Sequence, residues 1–365
     1  MTQTFRPLAT ILCLAFALAG AGGDAVASDF VVTSWGGSYE LSQQKAYGES
    51  FEDQTGEAVV WEEYHGGLDQ LRAQVESGNV VWDVIDVFAH DARSGCEEGL
   101  FETLPDSFYN RARMNDLIVE RPNNCVGANI LWSWIYAYDE RRFPDGAPQT
   151  IADFFDLEKF PGKRALSVYP QANLEMALVA DGVAPGVVYE VLDTAEGVDR
   201  AFRKLSELQG NIVFWSAGEE PLEMMRSGEV VMATAYSGRV ASAALGDENW
   251  MKAVFDGQVV EEEWFVIARG TQKLELAKAF LAHVAQPMQQ ALQARWIAYG
   301  PMRFEALEII ENGEPWFHTG EPVLPYLPTT TARLNRSVIS DPDWWARNNK
   351  AITERFAAWR RALQL

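Results

Sequence analysis

Aromatic residues recur in this sequence where short apolar stretches give way to glycine or to polar residues. The faces of Trp and Tyr rings attract cations, with about 0.5–2 kcal/mol for each good contact. Aromatic faces and a few carboxylates together would therefore form a site for an ammonium group. The candidates at predicted strand ends are Trp35, Tyr39, Trp132, Trp134, Tyr136, Trp215, Tyr236 and Trp264.

Charged residues accompany two of these aromatic residues. Three glutamates at 261–263 directly precede Trp264, and strand alternation predicts that Glu262 and Trp264 point to the same side. Arg239 follows Tyr236 by three positions. We predict that Arg239 holds an anionic group, because its forked guanidinium suits a carboxylate.

Two glycine pairs, Gly36-Gly37 and Gly66-Gly67, lie where a predicted strand turns into a predicted helix. In open α/β sheets, ligands bind at the edge formed by the carboxyl ends of the strands. Glycine also lets backbone N–H groups approach a ligand closely. Ser38 can cap the helix that follows the first pair. The sequence therefore predicts ligand contacts from Gly37, Ser38, Gly66 and Gly67.

The elements that position these residues alternate along the chain. Strands are predicted at 30–35, 58–64 and 82–88, with helices at 39–54 and 68–76 between them. This alternation predicts right-handed βαβ units and a parallel sheet. A stretch rich in Pro, Gly and charge, 140–163, then predicts a crossing to a second α/β segment. Its predicted helices are 194–209, 219–227 and 273–285, and its predicted strands are 211–215, 230–236 and 261–268.

Composition excludes several classes of function. The 365 residues, enough for two domains, carry 30 Lys and Arg against 52 Asp and Glu, a net charge of −22. This acidity argues against nucleic acid and anionic membranes as partners. The chain lacks the G-x-S-x-G, H-E-x-x-H, C-x-x-C and Walker A motifs, and its four His have no metal-ligand spacing. We therefore predict no enzyme activity, no cofactor and no metal; a hydrolase would need two acids with shifted pKa values in one cleft.

The N-terminus predicts export. Arg6 precedes an apolar run at 8–21 that is short for a membrane span, and an A-x-A site at 25–27 follows. Residues 1–27 are thus predicted to be a cleaved signal peptide, which makes the mature protein periplasmic and not an integral membrane protein. Cys96 and Cys125 are the only cysteines that remain, and in an oxidising compartment we predict a disulfide between them.

Seven motifs in a fixed order resemble a known family, the periplasmic solute-binding proteins of ABC importers. The resemblance covers nearly the whole mature chain and is greatest to the spermidine/putrescine-type branch. The motifs are TSWGGSYE (33–40), EDQTGEAVVWEEYHGG (52–67), FPDGAPQTIADFFDLEKFPGKRAL (143–166), SGEVVMATAYSGRV (227–240), EEEWFVIARGTQKLELAKAFLAHV (261–284), YGP (299–301) and DPDWWARNN (341–349).

The resemblance implies an α/β fold of two lobes, type II-like, with the ligand in the cleft between them. Lobe 1 would comprise 28–138 and 265–310, and lobe 2 would comprise 139–264. A C-terminal tail, 311–365, would wrap over both lobes. Closure of the lobes would exclude water, and an ABC transporter permease would recognise the closed form. We expect a monomer, since the carrier must close around its ligand.

The resemblance also implies ligand contacts residue by residue. Trp35 and Tyr39 would contribute from lobe 1. The contacts from lobe 2 or the hinge would be Trp215, Tyr236, Arg239, Glu262 and Trp264. Trp134 and Tyr136 join these candidates because of their place at the lobe crossover.

The implied ligand is a polyamine, such as putrescine or spermidine, or a related small amine. One departure from the family's pattern matters: polyamine binders place several carboxylates in the cleft, whereas here Arg239 stands beside the glutamate run. Asp86, Asp91 or Glu219 could supply a second anion. The alternatives are a zwitterionic ω-amino acid such as γ-aminobutyrate, or thiamine or a phosphonate. An unpaired Arg239 in the cleft would favour the zwitterion, and an Arg239 bridged to a structural Asp would favour the diamine.

Overall fold

The computed structural model describes residues 29–112, 114–313 and 317–363. The predicted signal peptide, 1–27, lies outside the described residues. The strands are β1 Phe30–Ser34, β2 Val59–Glu63, β3 Val84–Phe88, β4 Val126–Asp139, β5 Arg164–Ser167, β6 Ile212–Trp215, β7 Met232–Tyr236, β8 Met251–Ile267, β9 Gly300–Pro301 and β10 Val338–Ile339.

The helices alternate with these strands. They are α1 Gly37–Gln43, α2 Glu49–Thr55, α3 Asp69–Ser77, α4 Ala89–Glu97, α5 Asp106–Ala112, α6 Ile151–Phe155, α7 Asn173–Ala180, α8 Val188–Leu192, α9 Ala195–Ser206, α10 Glu220–Arg226, α11 Ser237–Leu245, α12 Leu274–Val284, α13 Pro287–Gln293, α14 Phe304–Glu311, α15 Thr331–Leu334 and α16 Pro342–Leu363. A π-helical segment, Gln44–Gly48, joins α1 to α2, and short 3₁₀ helices span Glu140–Arg142, Pro185–Val187 and Leu324–Tyr326.

Glycine ends two of the early helices where the sequence predicted it. Gly56 and Gly78 follow α2 and α3 in the left-handed conformation, with φ of 76° and 69°. This conformation caps a helix C-terminus and suits a residue without a Cβ. The chain can therefore turn back at once into the next strand.

Two parallel groups of strands are joined by two long antiparallel strands. β1 pairs in parallel with β2 and β3, and β5 pairs in parallel with β6 and β7, as the βαβ pattern predicted. β4 and β8 run antiparallel to one another along most of their length. The resulting strand order is β2-β1-β3-β8-β4-β7-β5-β6, with β9 beside β4 and β10 beside β8.

The hydrophobic core is divided between the two halves. The first core contains β1 to β3 and the second contains β5 to β7, with inward-facing Val, Ile, Leu and Ala from each strand. On β8 the core changes between Val259 and Val260, and on β4 it changes near Ile130. Both changes come earlier along the strand than the lobe limits expected at 138/139 and 264/265. The limits themselves stay a prediction.

The C-terminal segment contacts both halves. β10 adds to β8 through Val338 and Ile339, and Trp344 and Trp345 of α16 are buried in the second core. An ion pair of 3.1 Å between Arg93 and Asp343 joins α16 to α4.

The predicted disulfide is present in the structure. Cys96 in α4 bonds to Cys125 just before β4, with 6.0 Å between their Cα atoms. The bond ties α4 to the start of the strand that crosses between the halves. Among the described residues, none of the helices combines the length and the apolar character that crossing a bilayer requires.

Candidate functional site

Six aromatic side chains form a continuous belt where the two halves meet. The ring of Trp35, just after β1, lies 4.3 Å from Phe88 at the end of β3, and Phe88 lies 6.1 Å from Trp132 on β4. Trp134 lies 4.7 Å from Tyr236 at the end of β7. These distances are between ring centroids and fall in the range of packed aromatic pairs. We call this set the aromatic belt: Trp35, Phe88, Trp132, Trp134, Trp215 and Tyr236.

Two indole N–H groups of the belt have no hydrogen-bond partner. They are Nε1 of Trp35 and Nε1 of Trp132, and both atoms are buried within the described part of the chain. A buried donor without an acceptor costs about 1–3 kcal/mol. By contrast, Nε1 of Trp215 donates to Oγ1 of Thr234 at 3.3 Å. The two free indole groups are therefore available to an acceptor atom of a ligand.

Two buried acids lie beside the belt on the same face of the sheet. β3 and β8 are antiparallel neighbours, with Asp86 opposite Phe265 and Phe88 opposite Glu263. Strand alternation therefore points Asp86, Phe88 and Glu263 to one side. Asp86 has no exposed surface and Glu263 is 5% exposed. We call Asp86 and Glu263 the cleft carboxyl pair.

Neutral donors from lobe 1 hold one oxygen of Asp86. The hydroxyl of Tyr39 and Nε2 of Gln43 each donate to Asp86 Oδ2 at 2.7 Å. Asn129 in turn donates to the Tyr39 hydroxyl at 3.0 Å. Asp86 Oδ1 and Glu263 Oε2 lack a donor among the described groups.

Burial raises the pKa of both acids in the cleft carboxyl pair. The negative charge of Asp86 raises the pKa of Glu263 further, and the two carboxyl groups lie within hydrogen-bonding reach of each other. Two carboxyl groups can form that hydrogen bond only when one of them carries a proton. The pair is thus built to hold one negative charge more readily than two.

Arg239 provides positive charge at the same junction. It lies in the first turn of α11, and it opposes the burial effects that raise the pKa values of Tyr236 and Tyr299. A Cβ added to Gly218 would lie 2.9 Å from Arg239 Nε, and one added to Gly37 would lie 4.0 Å from Nη1. The two glycines therefore leave room for the guanidinium between the halves.

The ion pair of Arg239 is long. Its Nη1 lies 3.6 Å from Glu219 Oε2, and Glu219 is half exposed. Glu219 also accepts from Arg226 at 3.2 Å, so its charge is shared. No buried Asp neutralises the guanidinium within the described structure. Arg239 is thus not bridged to a structural Asp of the described residues, as a diamine site would require, but its contact with Glu219 means that it is not unpaired either.

The structure brings together most of the predicted site residues. Around the belt, the cleft carboxyl pair and the guanidinium lie Trp35, Gly37, Tyr39, Asp86, Trp134, Trp215, Tyr236 and Arg239.

Glu262 and Trp264 lie elsewhere. They share a side of β8, as predicted, but it is the opposite face from Glu263, because side chains alternate along a strand. Trp264 Nε1 donates to Glu262 Oε2 at 3.0 Å, and the charge of Arg93 in α4 lowers the pKa of Glu262 against the larger effect of burial. Both residues are satisfied inside the protein, so we do not retain them in the candidate site.

Three other predicted residues have structural roles. The Tyr136 hydroxyl donates to the Thr150 carbonyl at 2.8 Å within the second core. A Cβ added to Gly66 would meet the Trp35 ring at 2.9 Å, so this glycine leaves space for that ring. The backbone N–H of Gly67 bonds to the carboxyl group of Asp91.

Ser38 lines a neighbouring cavity. This cavity, of about 270 Å³, opens between α1 and α11. Its walls include Ser38, Leu41, Ser242, Leu245, Trp296 and His318.

Sequence reasoning missed Glu263, Phe88, Tyr299 and Asn129 as members of the site. Phe88 ends a predicted strand, so its position was a usable signal. Choosing Glu263 over Glu262 required knowing which face of β8 meets β3, and only the pairing of the strands defines that face.

Comparison with known proteins identifies the family of the chain. Residues 46–319 match a family described as bacterial extracellular solute-binding protein. A γ-aminobutyric acid-binding protein of Pseudomonas aeruginosa is 36% identical over 349 residues, which cover 95% of this chain and 94% of that protein.

Solved structures with the same architecture include two of particular use. An ABC transporter substrate-binding protein from Bradyrhizobium japonicum has a TM-score of 0.81 and 29% identity, covering 91% of this chain and 99% of its own. A structure titled as a γ-aminobutyrate receptor has a TM-score of 0.76 and 26% identity, covering 91% and 97%. The two-lobe α/β fold predicted from the sequence is thus confirmed. The relatives support the γ-aminobutyrate alternative better than the polyamine branch.

Proposed function

The chain belongs to the family of bacterial extracellular solute-binding proteins, and we propose that it captures a zwitterionic ω-amino acid such as γ-aminobutyrate. The ligand would lie in the cleft between the lobes. The protein would then present it to the permease of an ABC importer in the periplasm. This proposal replaces the polyamine that the sequence resemblance implied.

One observation carries the proposal: opposite charges stand around a shared aromatic belt. Arg239 is available to a carboxylate, and the cleft carboxyl pair is available to an ammonium group. An ω-amino acid carries these two charges at its two ends. A diamine would place a second ammonium group against Arg239, where like charges repel.

The ligand's carboxylate would satisfy donors that the protein leaves free. Besides Arg239, these are the buried indole N–H groups of Trp35 and Trp132. Hydrogen bonds to a charged group contribute about 1.5–3 kcal/mol each. The aromatic belt would cover the methylene chain between the charged ends and exclude water.

The strands that cross between the halves suit a carrier that closes. β4 and β8 form part of both cores, so a small bend in these strands would move one lobe against the other. Arg239 and Gly37 come from different lobes and would approach further on closure. A monomer is expected for such a carrier, and light scattering would check it.

The cleft carboxyl pair does not lead us to propose an enzyme. The family consists of solute-binding transport proteins. Asp86 has no exposed surface, and one of its oxygens is already held by Tyr39 and Gln43.

A thermal-shift panel tests the proposal. γ-Aminobutyrate at about 100 times its dissociation constant should stabilise the mature protein by about 2.7 kcal/mol. Putrescine, spermidine and thiamine should produce smaller shifts. Arg239→Gln should abolish the γ-aminobutyrate shift, and Arg226→Gln, which changes a surface arginine that also contacts Glu219, should retain it. A larger shift with putrescine than with γ-aminobutyrate would contradict the proposal.

A further inference from the structure

The cleft carboxyl pair places two acids together in the protein interior without a compensating cation among the described residues. Asp86 and Glu263 are buried side by side, and no Lys, Arg or His of the described residues forms an ion pair with either carboxyl group. Tyr39 and Gln43 donate to one oxygen of Asp86 only. Asp86 Oδ1 and Glu263 Oε2 are buried without a hydrogen-bond partner among the described residues.

We propose that the empty protein holds one proton between Asp86 and Glu263, and that the ammonium group of the bound ligand displaces this proton into solvent. The inference rests on the proposed function, since it assumes that an amine enters at Glu263. The balance is simple: protein with one shared proton plus ligand gives the complex plus one proton taken up by the buffer. The ligand's ammonium group keeps its own protons.

The exchange keeps the charge of the buried site constant. Before binding, the pair carries one negative charge because it shares one proton. After binding, two carboxylates face one ammonium group, and the sum is again one negative charge. Since burial penalises each uncompensated charge, both states avoid the doubly negative empty pair.

The groups that face the pair are mostly neutral at physiological pH. Burial raises the pKa of each tyrosine around it, so these hydroxyls stay protonated. The remaining titratable groups are Glu261 on the same strand, whose pKa burial raises to about 8, and Arg239, whose charge opposes the rise in the pKa values of Tyr236 and Tyr299. The charge of Asp91 in α4 raises the pKa of Tyr64 further. The titratable groups that face the pair are thus Tyr39, Tyr47, Tyr64, Tyr236, Tyr299 and Glu261.

Asp86 then acts as a positioning residue. It holds the shared proton in place through its contacts with Tyr39 and Gln43, and Glu263 meets the ligand. The amine and the carboxylate of the ligand do not titrate between about pH 6 and pH 8. A proton released in this range therefore comes from the protein.

Titration calorimetry with γ-aminobutyrate in Tris and in phosphate tests the exchange. The observed enthalpies should differ by the ionisation enthalpies of the buffers for about one proton. Because binding releases a proton, affinity should rise by up to about tenfold per pH unit until the pair is ionised, and then level off.

Asp86→Asn should abolish the proton release and flatten the pH profile, because Asn can donate permanently to an ionised Glu263. A loss of fold alone would lower affinity at every pH and leave the profile's slope unchanged. Glu261→Gln, two positions away on the same strand, is the matched control and should still release about one proton. Binding with equal enthalpies in both buffers would overturn this inference and leave the proposed function standing. No binding by γ-aminobutyrate, putrescine or methylammonium would overturn both.

Discussion

Two groups of buried acids share strand β8 and differ in what surrounds them. Glu263 faces Asp86 in the cleft carboxyl pair. Glu261, two positions earlier, faces Glu175 of α7, and we call these two the tail carboxyl pair. Tyr189 and Trp345 donate to Glu175 Oε1 at 2.8 and 2.9 Å. Trp345 belongs to α16, so the tail carboxyl pair connects lobe 2 to the C-terminal helix.

The comparison indicates that buried acids have a structural role in the tail carboxyl pair and a ligand-binding role in the cleft carboxyl pair. In the tail carboxyl pair, Tyr189 and Trp345 donate to Glu175, and Glu261 has side-chain hydrogen bonds with Ser340 and Trp134, so both acids bond to groups of the protein itself. Burial raises the pKa of Glu175 to about 7 and that of Glu261 to about 8, so near neutral pH both acids keep a proton far more often than exposed glutamates do. The cleft carboxyl pair has similar burial but stands beside the belt and Arg239, whose ion pair with Glu219 is long.

The largest expected effect comes from exchanging one glutamate on β8. Glu263→Gln should weaken γ-aminobutyrate binding by more than about 100-fold, because it removes the charge that meets the ammonium group. Glu261→Gln should change the affinity by less than about threefold. Titration calorimetry at pH 7 measures both. Equal losses in the two variants would remove the distinction between the pairs.

The tail carboxyl pair should instead govern stability against pH. Glu175 has an ordinary pKa near 4.3 in the unfolded chain and about 7 in the fold, so the folded state binds the proton more tightly. Its stabilisation is complete below about pH 4 and is lost as pH rises through about 7. Between pH 5 and pH 9 the free energy of unfolding of the wild-type protein should therefore fall by on the order of 2 kcal/mol more than that of Glu175→Gln.

Urea unfolding at the two pH values provides the measurement, and ligand affinity of Glu175→Gln should stay within about twofold of wild type. A variant that loses as much stability with rising pH as the wild type would contradict the assignment. A large change in ligand affinity would also do so, because it would connect the tail carboxyl pair to the cleft.

Much of the fold could be predicted because its signals are local. Gly56 and Gly78 end helices, and short apolar runs alternate with amphipathic ones, so the βα order follows from neighbouring residues. The site depends on contacts distant in sequence. Strand alternation correctly predicted that Glu262 and Trp264 point to the same side of β8. It could not predict which side faces the cleft, because that depends on the pairing of Glu263 with Phe88.

The class of ligand could likewise be predicted only in part from the sequence. The aromatic residues near strand ends favoured a cation, and the resemblance to the polyamine branch pointed the same way. Arg239 was recognised as the residue that separates a diamine from a zwitterion. Whether its charge is neutralised depends on Glu219 and Arg226, whose geometry no local pattern encodes.

A smaller effect should follow from removing one indole N–H from the belt. Trp35→Phe deletes the unpartnered Nε1 and should weaken γ-aminobutyrate binding by about tenfold, which is about 1.4 kcal/mol. Trp264→Phe removes an indole N–H that bonds to Glu262 instead, and should leave affinity within about twofold. Competition binding with both purified variants compares them. If Trp264→Phe has the larger effect, the ligand lies on the other face of β8.

The smallest expected effect concerns the second glycine pair. Gly66 and Gly67 both have positive φ, 85° and 78°, so alanine strains the backbone at either position. Only Gly66→Ala would place a Cβ 2.9 Å from the Trp35 ring, whereas Gly67→Ala meets no atom within 4 Å. Gly66→Ala should lower ligand affinity by about threefold through the displaced ring, and Gly67→Ala should lower stability alone. Matched affinity losses would show that the backbone, and not the ring, sets the effect.

The account's central claim is that the cleft recognises a positive and a negative charge on one small molecule. The most direct test is the ratio of the dissociation constants of γ-aminobutyrate and putrescine for the mature wild-type protein, measured by titration calorimetry at pH 7. The two ligands have similar chains and differ in one terminal group. We predict that γ-aminobutyrate binds at one site at least about 100-fold more tightly, since its carboxylate meets Arg239 where putrescine would place an ammonium group. Equal or tighter binding of putrescine would contradict the claim.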